Sequence, residues 1–422
     1  MPYSKPYAMI DAYNPVWRIL GQRYADLRNE KGYSLRGIGR SLNVSPSLIS
    51  NIENGKTVAN VETLSSMYEA IGQTLWLDQT TLERFDQKLK QFIYAVYLRD
   101  EALQKSLIAE IEPFEEQLTH SLLYVDFVLY RGIHDIFYAQ RESSAEYQAL
   151  FSYYDALSSD QRDMLNALTG HEAFTKENYA LAKSRFELIV QDSAHPVFLA
   201  SAHTYLAQIH GKRFNLHRVI QHAREASRLN SHNNHLVGKI EMDILQLKTL
   251  IELRQLNEAQ VMLENLDYLT RHTMIEFQPS LKHFKAYILY CKGHYHEALS
   301  WLEEVTLNSL FSALMKVHML ERLKRFSEAH KALEEARLFF QDHLEKHIIE
   351  AVSFYQRSLN QSYIQDLDER VIEHFLLNPA SYEHIDVVLF MFKLSSQYAF
   401  ENQRLMLLKR LNDAMFQYFH YR

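Results

Sequence analysis

The short polar side chains between residues 45 and 51 have the types and the spacing to read the edges of paired bases. Ser45, Ser47, Ser50 and Asn51 stand in the segment Val44-Ser-Pro-Ser-Leu-Ile-Ser-Asn-Ile. An asparagine amide can donate to and accept from an adenine edge at once, and a serine hydroxyl can contact either purine. Three nearby basic residues would contact phosphates and so set register rather than sequence: Arg36, Arg40 and Lys56.

The flanking residues predict the helices that must position these side chains. A first helix, ending near residue 29, carries apolar residues at helical spacing: Trp17, Leu20, Tyr24 and Leu27. Ser34 suits the N-cap of a second helix over residues 35–42, and Ser45 with Pro46 suits the start of a third. Ile49 and Ile52 should face the core, and Gly39 fits the small residue that the resemblance described next implies where helix three crosses.

This order of residues resembles the lambda-repressor-like (XRE) helix-turn-helix family over about residues 16–75. The resemblance implies a five-helix domain whose third helix enters the major groove of duplex DNA. It assigns DNA contacts to Arg36, Arg40, Ser45, Ser47, Ser50, Asn51 and Lys56. Pro46 stands where many relatives place a glutamine that touches a base, so direct readout of bases is limited.

A short pattern recurs in the body of the chain: an apolar residue, a small residue three positions later and an apolar residue four positions after that. The small positions are Ala182, Val219, Ala259, Ala298 and Ala329, spaced 37, 40, 39 and 31 residues apart. The pattern resembles a degenerate tetratricopeptide repeat, which implies stacked helix pairs in a right-handed α-solenoid. Residues 80–165 and 340–420 also read as helical and suit further repeats.

Projecting the repeat onto this chain selects side chains that would line a concave face suited to an extended peptide. They are Thr204, Gln208, Glu241, Lys248, His283, Tyr287, Tyr290 and His318. A solvated face is the alternative for the same positions. We expect an all-α protein with a DNA-binding domain at residues 1–75 and a regulatory, ligand-binding and dimerisation domain at residues 76–422.

Composition agrees with a helical protein of two or three domains. The 422 residues include only 11 Gly and 8 Pro, so helix breakers are scarce. Residues 1–75 hold eight Lys or Arg and six Asp or Glu, while the remainder holds 37 and 46, in line with the net charge of −7. The acidic body argues against DNA wrapping along the whole chain.

The expected cellular location rests on the cysteine content and on the search for targeting and membrane segments. The single cysteine, Cys291, excludes an internal disulfide and favours a reducing compartment. The first residues lack the apolar stretch of a signal peptide, and no apolar run approaches the roughly 20 residues of a membrane helix. We therefore expect a cytoplasmic protein without a membrane partner.

Taken together, the two patterns resemble the peptide-pheromone receptors called RRNPP regulators. The resemblance implies a homodimer that binds an operator in double-stranded DNA and changes that binding when a short signalling peptide enters the repeats. The alternative is a regulator or scaffold whose repeats bind a protein partner.

Enzyme chemistry is not expected, and no cofactor motif occurs. Pairs such as His232 with His235 and His294 with His296 are weak candidates for a metal site. Some relatives promote dephosphorylation through a glutamine, and Gln87, Gln91 and Gln104 are open candidates for that role.

Overall fold

A computed structural model describes residues 15–138, 145–272, 274–304, 310–339 and 405–420, together with positions 392, 396, 399 and 400. Its contacts divide the chain into two compact units. The first unit comprises residues 1–209 and 221–242, and the second comprises residues 210–220 and 243–422. The described residues form helices joined by turns, without a β-strand and with one isolated bridge between Trp76 and Ser121, so the predicted all-α fold class is confirmed.

The head has four helices where five were predicted, because the next helix begins only at Gln79, beyond residue 75: α1 (Pro15–Glu30), α2 (Leu35–Leu42), α3 (Pro46–Glu53) and α4 (Val61–Ala70). Side-chain oxygens of Ser34, Ser45 and Asn60 accept hydrogen bonds from backbone N–H groups in the first turns of α2, α3 and α4. These caps satisfy donors that have no partner within the helix, which explains where the helices begin. The predicted caps at Ser34 and Ser45 are therefore confirmed.

The head is held together by an apolar core and one ion pair. Leu20, Ile49 and Tyr68 are almost fully buried, and the Tyr68 hydroxyl donates to the Leu20 carbonyl at 3.1 Å. The Arg28 guanidinium donates to both carboxylate oxygens of Glu53, at 2.5 and 2.9 Å, and thereby ties α1 to the end of α3. Both side chains are at least nine-tenths buried, so loss of either would leave an unpaired charge.

Gly39 lies where α2 meets the turn before α3. A Cβ atom at this position would stand 2.8 Å from the Val44 carbonyl oxygen and 3.3 Å from Pro46. The predicted need for a small residue is therefore confirmed, although the close neighbour is the turn and the first residue of α3. Gly37 is exposed, and a Cβ there would approach only the Ser34 hydroxyl, at 3.2 Å.

A short connection leads from the head into the body. Leu75 and Leu77 are buried within it, and the Trp76 N–H donates to the His120 carbonyl at 2.8 Å. Helix α5 begins at Gln79, one residue before the stretch that the sequence predicted to be helical. Asp78 stands at its N-cap, and the Asp78 carboxylate accepts from the Thr81 hydroxyl.

The body consists of consecutive helices with short 3₁₀ and π turns among them. They are α5 (Gln79–Tyr97), α6 (Glu101–Ile111), α7 (Glu115–Thr119), α8 (Tyr124–Ile133), α9 (Ala145–Ala149), α10 (Ser159–Thr175), α11 (Tyr179–Asp192), α12 (Pro196–Lys212), α13 (Leu216–His232), α14 (Leu236–Glu252), α15 (Leu256–Thr270), α16 (Gln278–Lys292), α17 (Tyr295–Glu303), α18 (Leu310–Arg322), α19 (Phe326–Phe339) and α20 (Leu405–His420). Apart from α20 and four single positions, the predicted repeats at residues 340–420 lie outside the described residues.

The predicted repeat is visible in five helices, each of which begins at the first residue of one copy of the pattern. These helices are α11, α13, α15, α17 and α19. The small residue at the fourth position of each helix is at most 2% exposed: Ala182, Val219, Ala259, Ala298 and Ala329. The sequence period therefore marks the second helix of each hairpin, and the first helices are α10, α12, α14, α16 and α18.

The turns before these five helices share one backbone geometry. A residue with positive φ stands two positions before each helix: Glu177, Phe214, Arg254, Gly293 and Lys324. The next N–H donates to a carbonyl five residues earlier, as Asn178 does to Ala173 at 2.8 Å and Arg325 does to Leu320 at 2.8 Å. This motif ends a helix tightly and satisfies its last carbonyls, so the second helix returns at once along the first.

Within the described parts of the chain, every helix is too short or too polar to traverse a lipid bilayer.

The two glycines of α2 provide a matched test of the packing of the head. We expect Gly39→Ala to lower the free energy of unfolding by about 1–3 kcal/mol, because the added Cβ meets a backbone oxygen that cannot move freely. Gly37→Ala should stay within about 1 kcal/mol of wild type, since the helix preference for alanine opposes a mild contact. Chemical denaturation measures both variants, and equal effects would contradict the close approach at Gly39.

Candidate DNA interface and ligand cavity

Helix α3 presents its polar side away from the core of the head. Ile49 and Ile52 are 0% and 2% exposed, whereas Ser47 is exposed and Ser50 and Asn51 are half-buried. The structure thus places the predicted reading residues on the side of α3 opposite its buried isoleucines. No described residue of the chain hydrogen-bonds the Asn51 amide group, which therefore retains its capacity to donate and accept.

Two of the predicted contact residues already have structural partners. The Ser45 hydroxyl accepts from the Leu48 N–H at 3.1 Å as the cap of α3. The Asn54 amide donates to the Ser50 carbonyl at 2.6 Å and to its hydroxyl at 3.3 Å. Ser47 and Asn51 are consequently the side chains on α3 with the most hydrogen-bonding capacity left for a ligand.

Exposed basic side chains stand on α2 and just after α3. Arg36 and Arg40 lie one turn apart on α2, and both are exposed, as is Lys56. The Asn51 carbonyl accepts from the Lys56 N–H at 2.8 Å and thereby fixes the backbone that carries this lysine next to α3. These cations could contact phosphates on either side of a groove.

A cavity of about 840 Å³ lies within the first unit. Its walls come from α5, α6, α8 and α10 through α14, which are the helices before and within the first repeats. The lining is mostly apolar and aromatic, with Phe137, Phe174, Phe186, Phe198 and Tyr205 among its members. This volume and lining are typical of a site that binds an organic ligand or the side chains of a peptide.

Aromatic contacts organise one wall of the cavity. The Tyr205 ring stacks on Phe186 with centroids 4.7 Å apart, and its hydroxyl shares a hydrogen bond of 2.6 Å with His171 Nδ1. Burial lowers the pKa of His171 to about 4, against a smaller raising effect of Glu172. Burial also raises the pKa of the Tyr205 hydroxyl to about 12. Near neutral pH this wall is therefore uncharged.

Three of the eight predicted peptide-binding residues line this cavity: Thr204 and Gln208 on α12 and Glu241 on α14. The Thr204 hydroxyl donates to the Ala200 carbonyl at 2.9 Å. Glu241 accepts two hydrogen bonds from the Arg99 guanidinium, at 2.7 and 2.8 Å.

The other five predicted residues belong to the second unit: Lys248, His283, Tyr287, Tyr290 and His318. Tyr290 and His318 are buried and hydrogen-bond each other at 2.8 Å, while His283 bonds Ser312 at 3.2 Å. Tyr287 contacts the Phe311 ring at 5.1 Å between centroids. Lys248 lies 3.7 Å from the Glu252 carboxylate. The eight positions therefore form two sets, and their role in binding stays a prediction.

Sequence reasoning missed several polar residues of the cavity, chiefly Tyr97, Arg99, Asn230 and His235. Tyr97 and Arg99 precede the first recognisable copy of the repeat. The turn between α5 and α6 nevertheless shares the repeat geometry, since Arg99 has a φ of 58° and the Asp100 N–H donates to the Ala95 carbonyl at 2.9 Å. A search for that turn, rather than for alanine spacing, could have found this hairpin.

The weak metal candidates gain no support from the geometry. Over the residues that the structure describes, no group of three or more His, Cys, Asp or Glu could hold a metal ion.

Comparisons with known proteins agree with the predicted resemblance in fold and domain type. The Helix-turn-helix family HTH_3 matches residues 25–75. A comparison with curated proteins gives no match. The apo form of RapI is similar with a TM-score of 0.60 at 11% identity, over 79% of this chain and 96% of its own.

Two structures of NprR are similar as well. The apo form of the quorum sensor NprR from B. thuringiensis has a TM-score of 0.58 at 15% identity, over 80% of this chain and 99% of its own. NprR in complex with its cognate peptide NprX has a TM-score of 0.53 at 15% identity, over 80% and 100%. This chain thus joins a helix-turn-helix domain of the XRE type to a helical repeat body that is similar in fold to RapI and NprR.

The partly buried His171 predicts a pH dependence of stability. Because its folded pKa lies below the ordinary value of 6.5, the unfolded chain binds more protons as the pH falls from about 6.5 to about 4. The free energy of unfolding of wild type should therefore fall between pH 7 and pH 4.5, and in His171→Gln this fall should be smaller by about 1–3 kcal/mol. Urea denaturation at both pH values measures this difference. The exposed His232→Gln is the control, and an equal pH dependence in wild type and His171→Gln would contradict the assignment.

Proposed function

We propose that this chain is a DNA-binding transcriptional regulator whose helical repeats sense a short signalling peptide, as in quorum sensing. In this proposal it acts as a homodimer, and the peptide changes how the dimer binds its operator. The observation that carries the proposal is the outward polar side of α3 in a head that shares one hydrophobic core with the cavity-bearing helices.

DNA binding is supported by the chemistry around α3. Asn51 and Ser47 would reach base edges, and Arg36, Arg40 and Lys56 would contact phosphates. Ser45 and Ser50 would assist through their backbone or after their present hydrogen bonds rearrange. A dimer would place its two third helices about 34 Å apart, or at a multiple of that distance, to enter successive major grooves.

Peptide sensing is supported by the cavity and by the fold. RapI and NprR have a similar arrangement of helices, and NprR has been solved with its cognate peptide NprX. In the first unit, aromatic walls would take apolar peptide side chains, while Gln208 offers an amide group for a peptide backbone. The peptide can change DNA binding only through its different affinities for two shapes of the protein.

A protein partner for the repeats is the second candidate, and one surface favours it. Val261 and Tyr268 on α15 are 59% and 79% exposed, and Ile275 after the helix is 67% exposed. Large apolar side chains with this spacing and exposure can form part of a protein-binding surface.

DNA binding is tested by selecting an operator from random duplexes and measuring the affinity of variants for it. We expect Asn51→Ala with Ser47→Ala to weaken binding by about 1–3 kcal/mol and to relax the selected sequence. Arg40→Ala should weaken binding to all sequences and reduce the salt slope by about one. Ser66→Ala on the exposed side of α4 is the control. Unchanged affinity and preference in the double variant would show that α3 does not read DNA.

Peptide sensing is tested with candidate peptides encoded beside the gene. Each peptide is assessed by its effect on the affinity of the protein for the operator. Ser201→Trp should occupy part of the cavity and raise the peptide concentration needed for half response about tenfold or more, because the ring takes space that the ligand needs. Ser184→Trp, exposed on α11, is the matched control. A wild-type response from Ser201→Trp would show that the peptide binds outside this cavity. No response of wild type to any peptide would favour the protein-partner alternative.

A further inference from the structure

We propose that the turn between α5 and α6 is a gate over the cavity and that the ion pair of Arg99 with Glu241 is its latch. The inference rests on the proposed ligand cavity, because a gate matters only where something enters. Its test, however, needs neither DNA nor the signalling peptide.

Side chains of this turn reach α13 and α14, more than 130 positions along the chain. The Tyr97 hydroxyl donates to Asn230 Oδ1 at 2.5 Å, 133 residues away, and accepts from Asn233 Nδ2 at 3.2 Å. The Arg99 guanidinium donates two hydrogen bonds to the Glu241 carboxylate, 142 residues away. Tyr97, Arg99, Asn230 and Glu241 all line the cavity, so these links close its wall.

The turn is held together independently of those links. The Ala95 carbonyl accepts from the Asp100 N–H at 2.9 Å and from the Gln104 side chain at 3.0 Å. The Asp100 carboxylate also caps α6 by accepting from the Leu103 N–H at 3.0 Å. The turn can therefore stay folded when its side chains release α13 and α14, but it then opens more often, so its backbone amides exchange faster.

The outer layer of the contact is weak, as a latch requires. The side chains of Arg99 and Glu241 are 59% and 34% exposed. An ion pair in such a position is screened by salt and contributes little to stability. It can break and re-form without unfolding of the first unit.

The inner layer of the contact leaves polar groups without partners. His235 is 7% exposed, the Tyr97 ring meets it edge-on at 4.6 Å, and neither of its ring nitrogens has a hydrogen-bond partner among the described residues. Buried polar atoms without partners make the closed arrangement less stable than a fully satisfied core. A ligand group that hydrogen-bonds His235 would supply the partner that its ring nitrogens lack in the closed arrangement.

The experiment combines charge reversal with hydrogen exchange and a dye. Arg99→Glu and Glu241→Arg are compared singly and together in the full chain. Backbone amide exchange of residues 98–104 is followed by mass spectrometry, and entry of 1-anilinonaphthalene-8-sulfonate is followed by stopped-flow fluorescence. Each single variant should exchange and admit dye about two- to fivefold faster, and the double reversal should return both rates towards wild type. Wild type in 1 M salt should behave like the single variants.

The control is Arg131→Glu, which breaks another exposed ion pair of the first unit, with Glu115, away from the cavity lining. It should leave both rates unchanged. Unchanged rates in the single variants, no rescue in the double reversal, or an equal effect of Arg131→Glu would each overturn the gate. A failure of the peptide to bind would leave these measurements intact, so the two proposals can fail separately.

Discussion

Close approach between paired helices is the constraint on which the repeat body depends. At the fourth position of its second helix, each of the five described hairpins with the sequence pattern buries a side chain no larger than valine, such as Ala182 or Ala298. The preceding turn ends the first helix with a left-handed residue and reverses the chain in two or three positions. A larger side chain at the contact would force the helices apart, and each hairpin depends on its neighbours to cover its remaining apolar surface.

The head belongs to the same core as the first repeats. One hydrophobic cluster runs from Trp17 to Ile209, and the Arg23 guanidinium lies 3.9 Å from the centre of the Tyr124 ring on α8. Helix α1 therefore contacts α3 through the Arg28–Glu53 ion pair and also contacts the body. In the proposed regulation, a change of shape around the cavity would reach the reading helix through α1 rather than through a flexible linker.

Much of the head and of the repeat was predictable because the signals are local. The Ser34 and Ser45 caps act within three residues, and helical spacing of apolar residues selects the buried side without knowledge of the partner. The polar side of α3 was predicted for the same reason. The links from Tyr97 to Asn230 and from Arg99 to Glu241 were not predicted, because each joins residues more than 130 positions apart in no shared motif.

The sequence by itself determined the helices, the caps, the type of head and the period of the repeat, since each depends on neighbours within one or two turns. Only the tertiary structure decided which inward-facing residues share a cavity. Thr204, Gln208 and Glu241 meet there, whereas Tyr290 and His318 hydrogen-bond each other in the second unit. The physical reason is that spacing sets the face on which a side chain lies, while packing between distant hairpins sets which side chain or space it faces.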